Sequence, residues 1–173
     1  MKPIIIASNK DPAGLNIVEN LKKLNCKIPI KIKNQELIHA ENIDKNLDND
    51  FIIFASKHKA KEGKKTFTIH TIGNFHKAEY GGKDKILCPS SSLIFKHFFQ
   101  TLNKENNLDY EVTLEATHHG PYINKPSIFI EIGPGEKEWK DNKVGEIIAK
   151  TIIESINSYK KKPYIPTFGI GGP

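Results

Sequence analysis

The sequence predicts an α/β fold with a mixed sheet flanked by helices, on three observations. Short β-branched runs alternate with amphipathic stretches of helical period along the chain. Two late segments, 109–117 and 127–132, alternate polar and apolar residues as strands do. The length of 173 residues suits a single domain, since compact domains commonly run about 100 to 200 residues.

The elements follow in order. PIIIAS, at 3–8, is a short β-branched run and reads as a strand. In the segment that follows, Asp11 caps a helix, Pro12 suits its first position, and Ile17, Leu21 and Leu24 recur on one face. Further strands are expected at 28–32, 51–55 and 66–72, the last after the polar turn KEGKK. CPSSSLIFKHFFQTLN reads as a second helix, with Ile94, Phe98 and Leu102 turned inward. In the strand at 109–117, Tyr110, Val112, Leu114 and Ala116 share one face, and Glu111, Thr113, Glu115 and Thr117 the other. The strand at 127–132 sets Ile128, Ile130 and Ile132 opposite Ser127, Phe129 and Glu131. GPGEKEW then opens one long helix whose buried stripe carries Val144, Ile148, Ile152 and Ile156. Helices are expected on both faces of the sheet.

Composition narrows the function classes. Hydrophobic residues form 38% and charged residues 27% of the chain, a balance that is neither membrane-like nor disordered. No run approaches the ~18 apolar residues of a spanning helix, and the N-terminal apolar run is too short for a signal sequence. Cys26 and Cys88 form no CxxC pair, so reduced thiols and a cytoplasmic location are expected. The net charge of +6 permits an anionic partner. All 26 basic residues are lysine, so phosphate contacts rest on ammonium groups and backbone N–H groups, with no guanidinium forks.

The chemistry-bearing stretch is EATHHGPYINKPSIFIEIG, residues 115–133. Adjacent strand residues diverge, so His118 and His119 reach one site only if the strand ends there, and Gly120-Pro121 is a dipeptide that ends strands. A hairpin return would bring Glu131 beside Glu115 or Thr117 and gather both histidines with two carboxylates. Zinc accepts such ligands, and an open position on it lowers the pKa of bound water to about 7. Without metal, His119 would act as general base positioned by Glu115 or Glu131. Backbone N–H groups near Gly120 or Asn74 would then hold an oxyanion. The plain alternative is one core and one surface histidine.

Other segments carry further expectations. His70 and Asn74 flank Gly73 at a strand's C-terminal edge, where α/β sheets commonly bind ligands. Lys57, Lys59, Lys61, Lys64 and Lys65 fall within nine residues and offer a bed for phosphates, or a solvated turn. Backbone N–H groups near Ser8, Asn9 and Lys10 offer an anion site or merely a capped helix. PTFGIGGP, at 166–173, lacks the strand–helix frame of a nucleotide loop.

DPAGLNI, FASKHK, IHTIGN, AEYGG, EATHHGP, PSIFIEIG, KEW and FGIGGP, in that order, resemble the archaeal and plant type of D-aminoacyl-tRNA deacylase. The resemblance implies a proofreading hydrolysis of the ester joining a D-amino acid to the 3′ end of tRNA. It also implies zinc and a phosphorylase/hydrolase-like fold akin to peptidyl-tRNA hydrolases. It marks Ser56, His58, His70, Gly73, Asn74, Glu115, Thr117, His118, His119, Gly120, Pro121, Glu131 and Gly133.

The expected catalytic residues are His118, His119, Thr117 and Glu115. Ser56, Lys57, His58, Lys59, Gly73, Asn74 and Gly120 are expected to bind substrate, and His70, His118, His119 and Glu131 to hold zinc. The family pattern continues past the glycine-rich motif, so residues 1–173 are expected to be one α/β hydrolase domain, acting as a monomer and lacking a C-terminal portion. The rival expectations are a nucleoside or peptidyl-tRNA hydrolase, and a basic RNA-binding module without turnover.

Overall fold

The computed structural model describes residues 1–60, 63–160 and 163–165. Six strands form one sheet in the order β2-β1-β3-β6-β4-β5. They are β1 (Pro3–Ser8), β2 (Ile30–Lys33), β3 (Phe51–Lys57), β4 (Thr66–His70), β5 (Glu111–Leu114) and β6 (Ser127–Gly133). Strands β2, β1, β3 and β6 run parallel, β4 runs antiparallel to β6, and β5 runs parallel to β4. The sheet is mixed, as expected. β1 and β3 are almost wholly buried, which suits their unbroken apolar runs. The edge strands β2 and β5 are short and carry lysine or glutamate, which discourages pairing with other chains.

The helices are α1 (Pro12–Lys23), α2 (Ser92–Glu105), α3 (Glu136–Trp139) and α4 (Asn142–Ser158). Asp11 caps α1 by accepting from the Gly14 N–H at 2.9 Å, with Pro12 in the first turn. Ile17 and Leu21 are buried, but Leu24 caps the helix C-terminus and is 37% exposed, so the apolar stripe stops one turn early. The expected long helix is divided between α3 and α4. Asp141 caps a fresh start, and Asn16 Nδ2 donates to the Trp139 and Asp141 carbonyls at the break, 2.9 and 2.8 Å away.

The long helices α1, α2 and α4 share one hydrophobic cluster with one face of the sheet. The opposite face carries a smaller cluster under loops and a 3₁₀ turn, Leu37–His39, joined by Ile72, Cys88 and Ile123. Helices on both faces were expected; loops cover the second face instead. The chain between β2 and β3, and that between β4 and α2, lies over this face and buries Leu37 and Ile72 against it. The hairpin expected between 117 and 127 is also corrected. β4 lies between β5 and β6, and the alternating strand ends at Leu114, which is 53% exposed. No helix among the described residues is long and apolar enough to cross a membrane.

Candidate functional site

Strand parity builds the site. On β4, Phe67 and Ile69 turn towards the helices, so Thr68 and His70 face the loop side. On β6, Ile128, Ile130 and Ile132 turn the same way and leave Phe129 and Glu131 on the loop side. Pairing sets Thr68 beside Glu131 and His70 beside Phe129. Past the ends of β5 and β3, the Glu115 N–H donates to the Ile69 carbonyl at 3.1 Å and the His58 N–H to the Ile132 carbonyl at 2.9 Å. Glu115 is thus tied to β4 and His58 to β6, which are neighbours in the sheet.

The groups converge. His58 Nδ1 lies 3.2 Å from Glu115 Oε2 and 3.7 Å from Glu131 Oε2. His70 Nε2 stands 3.7 Å from the same Glu131 oxygen, to which the Thr68 hydroxyl donates at 3.2 Å. His118 Nε2 is 3.9 Å from Glu115 Oε1. The His119 ring centroid is 4.7 Å from those of both His70 and His118. The twin imidazoles and the two acids do gather in one volume, but β4 brings them together where a hairpin was expected.

Three imidazoles are held alike. Nδ1 of His70 faces the Thr71 carbonyl at 2.9 Å, that of His118 the Ala116 carbonyl at 2.6 Å, and that of His119 the Gly120 carbonyl at 2.6 Å. A carbonyl can only accept, so each Nδ1 carries a proton, and in its neutral form each ring presents its Nε2 lone pair. Ligand atoms of His70, His119 and Glu131 lie within 4.8 Å of one another, as do those of His58, Glu115 and Glu131. Among the described residues His118 belongs to neither set.

Buried His70 Nε2 has no hydrogen-bond partner among the described residues. Two imidazole nitrogens and a carboxylate oxygen, with the far ring nitrogens held by carbonyls, are a donor set and second shell that zinc accepts.

The electrostatics favour positive charge at this point. The adjacent Glu115 carboxylate, and then that of Glu131, raise His58 to about 10. Burial opposes charge on His70, but the Glu131 carboxylate outweighs it and the ring's pKa rises. Burial also opposes the Glu131 and Glu115 carboxylates, yet their histidine partners hold both below the usual range. His119, pushed down to about 4 by burial and then by His70, stays neutral. A cation among these carboxylates would take the place of protons.

The cluster opens into a cavity of about 270 Å³, whose lining includes Ser56, Lys57, His58, Lys59, Tyr80 and His118. Other expected residues fall elsewhere. Thr117 bonds the Thr71 hydroxyl at 2.7 Å and does not line the cavity.

Gly73, Asn74 and Gly120 are scaffold. Their N–H groups donate to the carbonyls of His119, Ile86 and Tyr80, so the oxyanion donors expected there are already committed. Asn74 Nδ2 also donates to the Gly81 carbonyl at 3.0 Å. The N–H groups of Asn9 and Lys10 are likewise taken, by the Lys33 carbonyl and the Ser8 hydroxyl, so these two donors serve the capped loop.

The lysine cluster divides: Lys57 and Lys59 line the cavity, whereas Lys64 pairs with Glu111 and Lys65 lies over the Tyr110 ring. Lys61 and the loop 166–173 lie outside the described residues.

The sequence reading treated Asp11 only as a helix cap. Its second oxygen accepts from the Ser56 hydroxyl at 3.0 Å and the Lys57 N–H at 2.9 Å, binding the end of β3 to the start of α1. Burial raises its pKa above the usual carboxylate range. Leu37, Ile38 and Tyr80 also line the cavity. Tyr80 stood within AEYGG, but nothing in the spacing connected it with the histidines.

The family model described as D-aminoacyl-tRNA deacylase matches residues 45–173. Curated D-aminoacyl-tRNA deacylases of Archaeoglobus fulgidus and Thermococcus onnurineus are 35% and 34% identical to this chain. Each alignment covers 98% of the chain, and 68% and 71% of the respective relative. A solved conserved protein of unknown function is 34% identical with a TM-score of 0.86, over 91% of this chain and 64% of its own. An N-acetylmuramoyl-L-alanine amidase of Nostoc punctiforme shares the fold alone, at 11% identity and a TM-score of 0.53 over 91% of this chain and 98% of its own.

Proposed function

Because the chain belongs to the D-aminoacyl-tRNA deacylase family, we propose that its histidine–carboxylate cavity hydrolyses the ester joining a D-amino acid to the 3′ end of tRNA. The supporting observation is the side-by-side placement of a His70–His119–Glu131 donor set and a half-exposed His118 beside Glu115. The first set is the proposed zinc site, with Glu131 also held by Thr68. Bound there, zinc supplies Lewis-acid polarisation and a water of lowered pKa.

The residues of the chain do the proton work. His118, its Nδ1 proton fixed on the Ala116 carbonyl, takes a proton from the attacking water on Nε2. The Glu115 carboxylate, 3.9 Å away, stabilises the imidazolium that forms. As the water oxygen bonds to the carbonyl carbon and the bond to the ribose oxygen breaks, His118 returns that proton to the ribose oxygen. The products are a free D-amino acid and tRNA. His58, held cationic between Glu115 and Glu131, keeps two close carboxylates from repelling one another. The enzyme is proposed to work as a monomer in the cytoplasm, where aminoacylated tRNA is made.

The test offers D-tyrosyl-tRNA, L-tyrosyl-tRNA and peptidyl-tRNA to the purified protein, with metal content measured alongside. Release of D-tyrosine alone, lost on chelation and restored by zinc, is the expected result. Turnover of peptidyl-tRNA only would replace the assignment, and full activity in metal-free protein would remove zinc from it.

A further inference from the structure

We propose that Tyr80 is the stacking platform for the terminal base of the polynucleotide whose ester enters the cavity, an inference that rests on the deacylase reading of that cavity. Tyr80 lines the cavity yet is 61% exposed. Phe75 is as exposed but does not line the cavity, so what distinguishes Tyr80 is that its open ring faces whatever enters there.

The backbone beneath the ring is fixed from several sides. The Tyr80 carbonyl accepts from the Gly120 N–H at 3.1 Å, directly after the twin histidines. Asn74 Nδ2 holds the Gly81 carbonyl at 3.0 Å, and the Gly82 N–H donates to Glu41 Oε1 at 2.7 Å. Gly81, at φ 77°, has its pro-Cβ position only 1.9 Å from the Ile38 carbonyl oxygen, so no side chain can be carried there. An exposed ring on an anchored backbone is preorganised, and binding to it forfeits little entropy.

The charges around it choose the occupant. Lys10, Lys57 and Lys59 line the same cavity alongside Asp11, Glu36, Glu115 and Glu131, the last two paired with histidines, and Lys77 and Lys85 are exposed on the loop that carries Tyr80, as are Glu79 and Asp84. An exposed aromatic ring sharing a cavity with lysines is a combination that receives single-stranded nucleic acid, with bases stacking and phosphates tracking the cations. The base next to the ester is the one that the chemistry places nearest. A terminal nucleobase on Tyr80 would set its ribose ester towards His118 and Glu115, which line the same cavity.

The test compares Tyr80→Ala, Tyr80→Phe and Tyr80→Trp on a D-aminoacyl-tRNA, a D-aminoacyl-adenosine and the methyl ester of the same D-amino acid. Tyr80→Ala should lower kcat/KM about tenfold on both nucleotide esters and leave the methyl ester unchanged, while the Phe and Trp variants keep wild-type rates. Equal losses on all three esters would assign the ring to the amino-acid side chain and overturn the proposal, as would no loss on any.

A second readout stands apart from turnover. Emission of Tyr80→Trp, taken as a difference from wild type, should be quenched by uncharged tRNA and not by tRNA lacking its terminal adenosine. Quenching without hydrolysis would keep the platform and sink the deacylase reading. Hydrolysis with no quenching would do the reverse.

Discussion

His118 and His119 are neighbours in the chain but differ in what their loss should cost. The His118 side chain is 45% exposed, so His118→Ala should hold stability within about 0.5 kcal/mol while deacylation falls by about a hundredfold or more. His119 is buried edge-on against the His70 and Phe129 rings, and its truncation should cost about 2–4 kcal/mol through the cavity left behind. Urea denaturation of both variants, run beside the deacylation assay, separates the two roles.

Asp11 should behave as a structural joint. Asp11→Ala removes a helix cap, worth about 1 kcal/mol. It also leaves the buried Ser56 hydroxyl and Lys57 N–H without their acceptor, a further 1–3 kcal/mol, roughly. Asp11→Asn keeps one acceptor oxygen and should recover part of the loss; equal loss in both variants would point to charge in place of bonding.

At the scale of elements, the covering loops matter as much as the strands. A Cβ on Gly120 would stand 2.3 Å from the Gly82 nitrogen and 2.5 Å from the Ile38 oxygen, both backbone atoms. Gly120→Ala should therefore cost about 1–3 kcal/mol and lower activity with it, and a thermal melt near wild type would refute that packing. Most strands were legible, because β-branched runs and alternation announce them whatever lies beside them. Neighbour relations were not: alternation in 109–117 and 127–132 is the same whether the two pair directly or take β4 between them. The division of α3 from α4 was hidden for a similar reason, since the carbonyls at the break are satisfied by Asn16, over a hundred residues away.

For the whole molecule, charge and metal give the remaining expectations. With net charge +6 and no arginine, tRNA binding should weaken steeply with salt, whereas turnover of a D-amino acid methyl ester should not. A metal that binds only the folded state adds about 4 kcal/mol when present at a thousandfold over its dissociation constant. Chelation should accordingly lower the melting temperature, and an unchanged melt would take zinc out of the folded structure. The histidines, the acids and the +6 charge were legible because chemistry announces itself in residue type. Tyr80 was not, because exposure at a cavity mouth is a property of the closed fold.

The sheet keeps the helix-side cluster and the loop-side cluster as separate bodies with no side chain in common. It acts as a bulkhead. Repacking under α1, α2 and α4 can proceed by drift without disturbing the imidazoles beyond it. Away from close contacts such as Gly120, the coverings on the far side can be exchanged, altering which esters are admitted, while the helix-side cluster keeps its own packing.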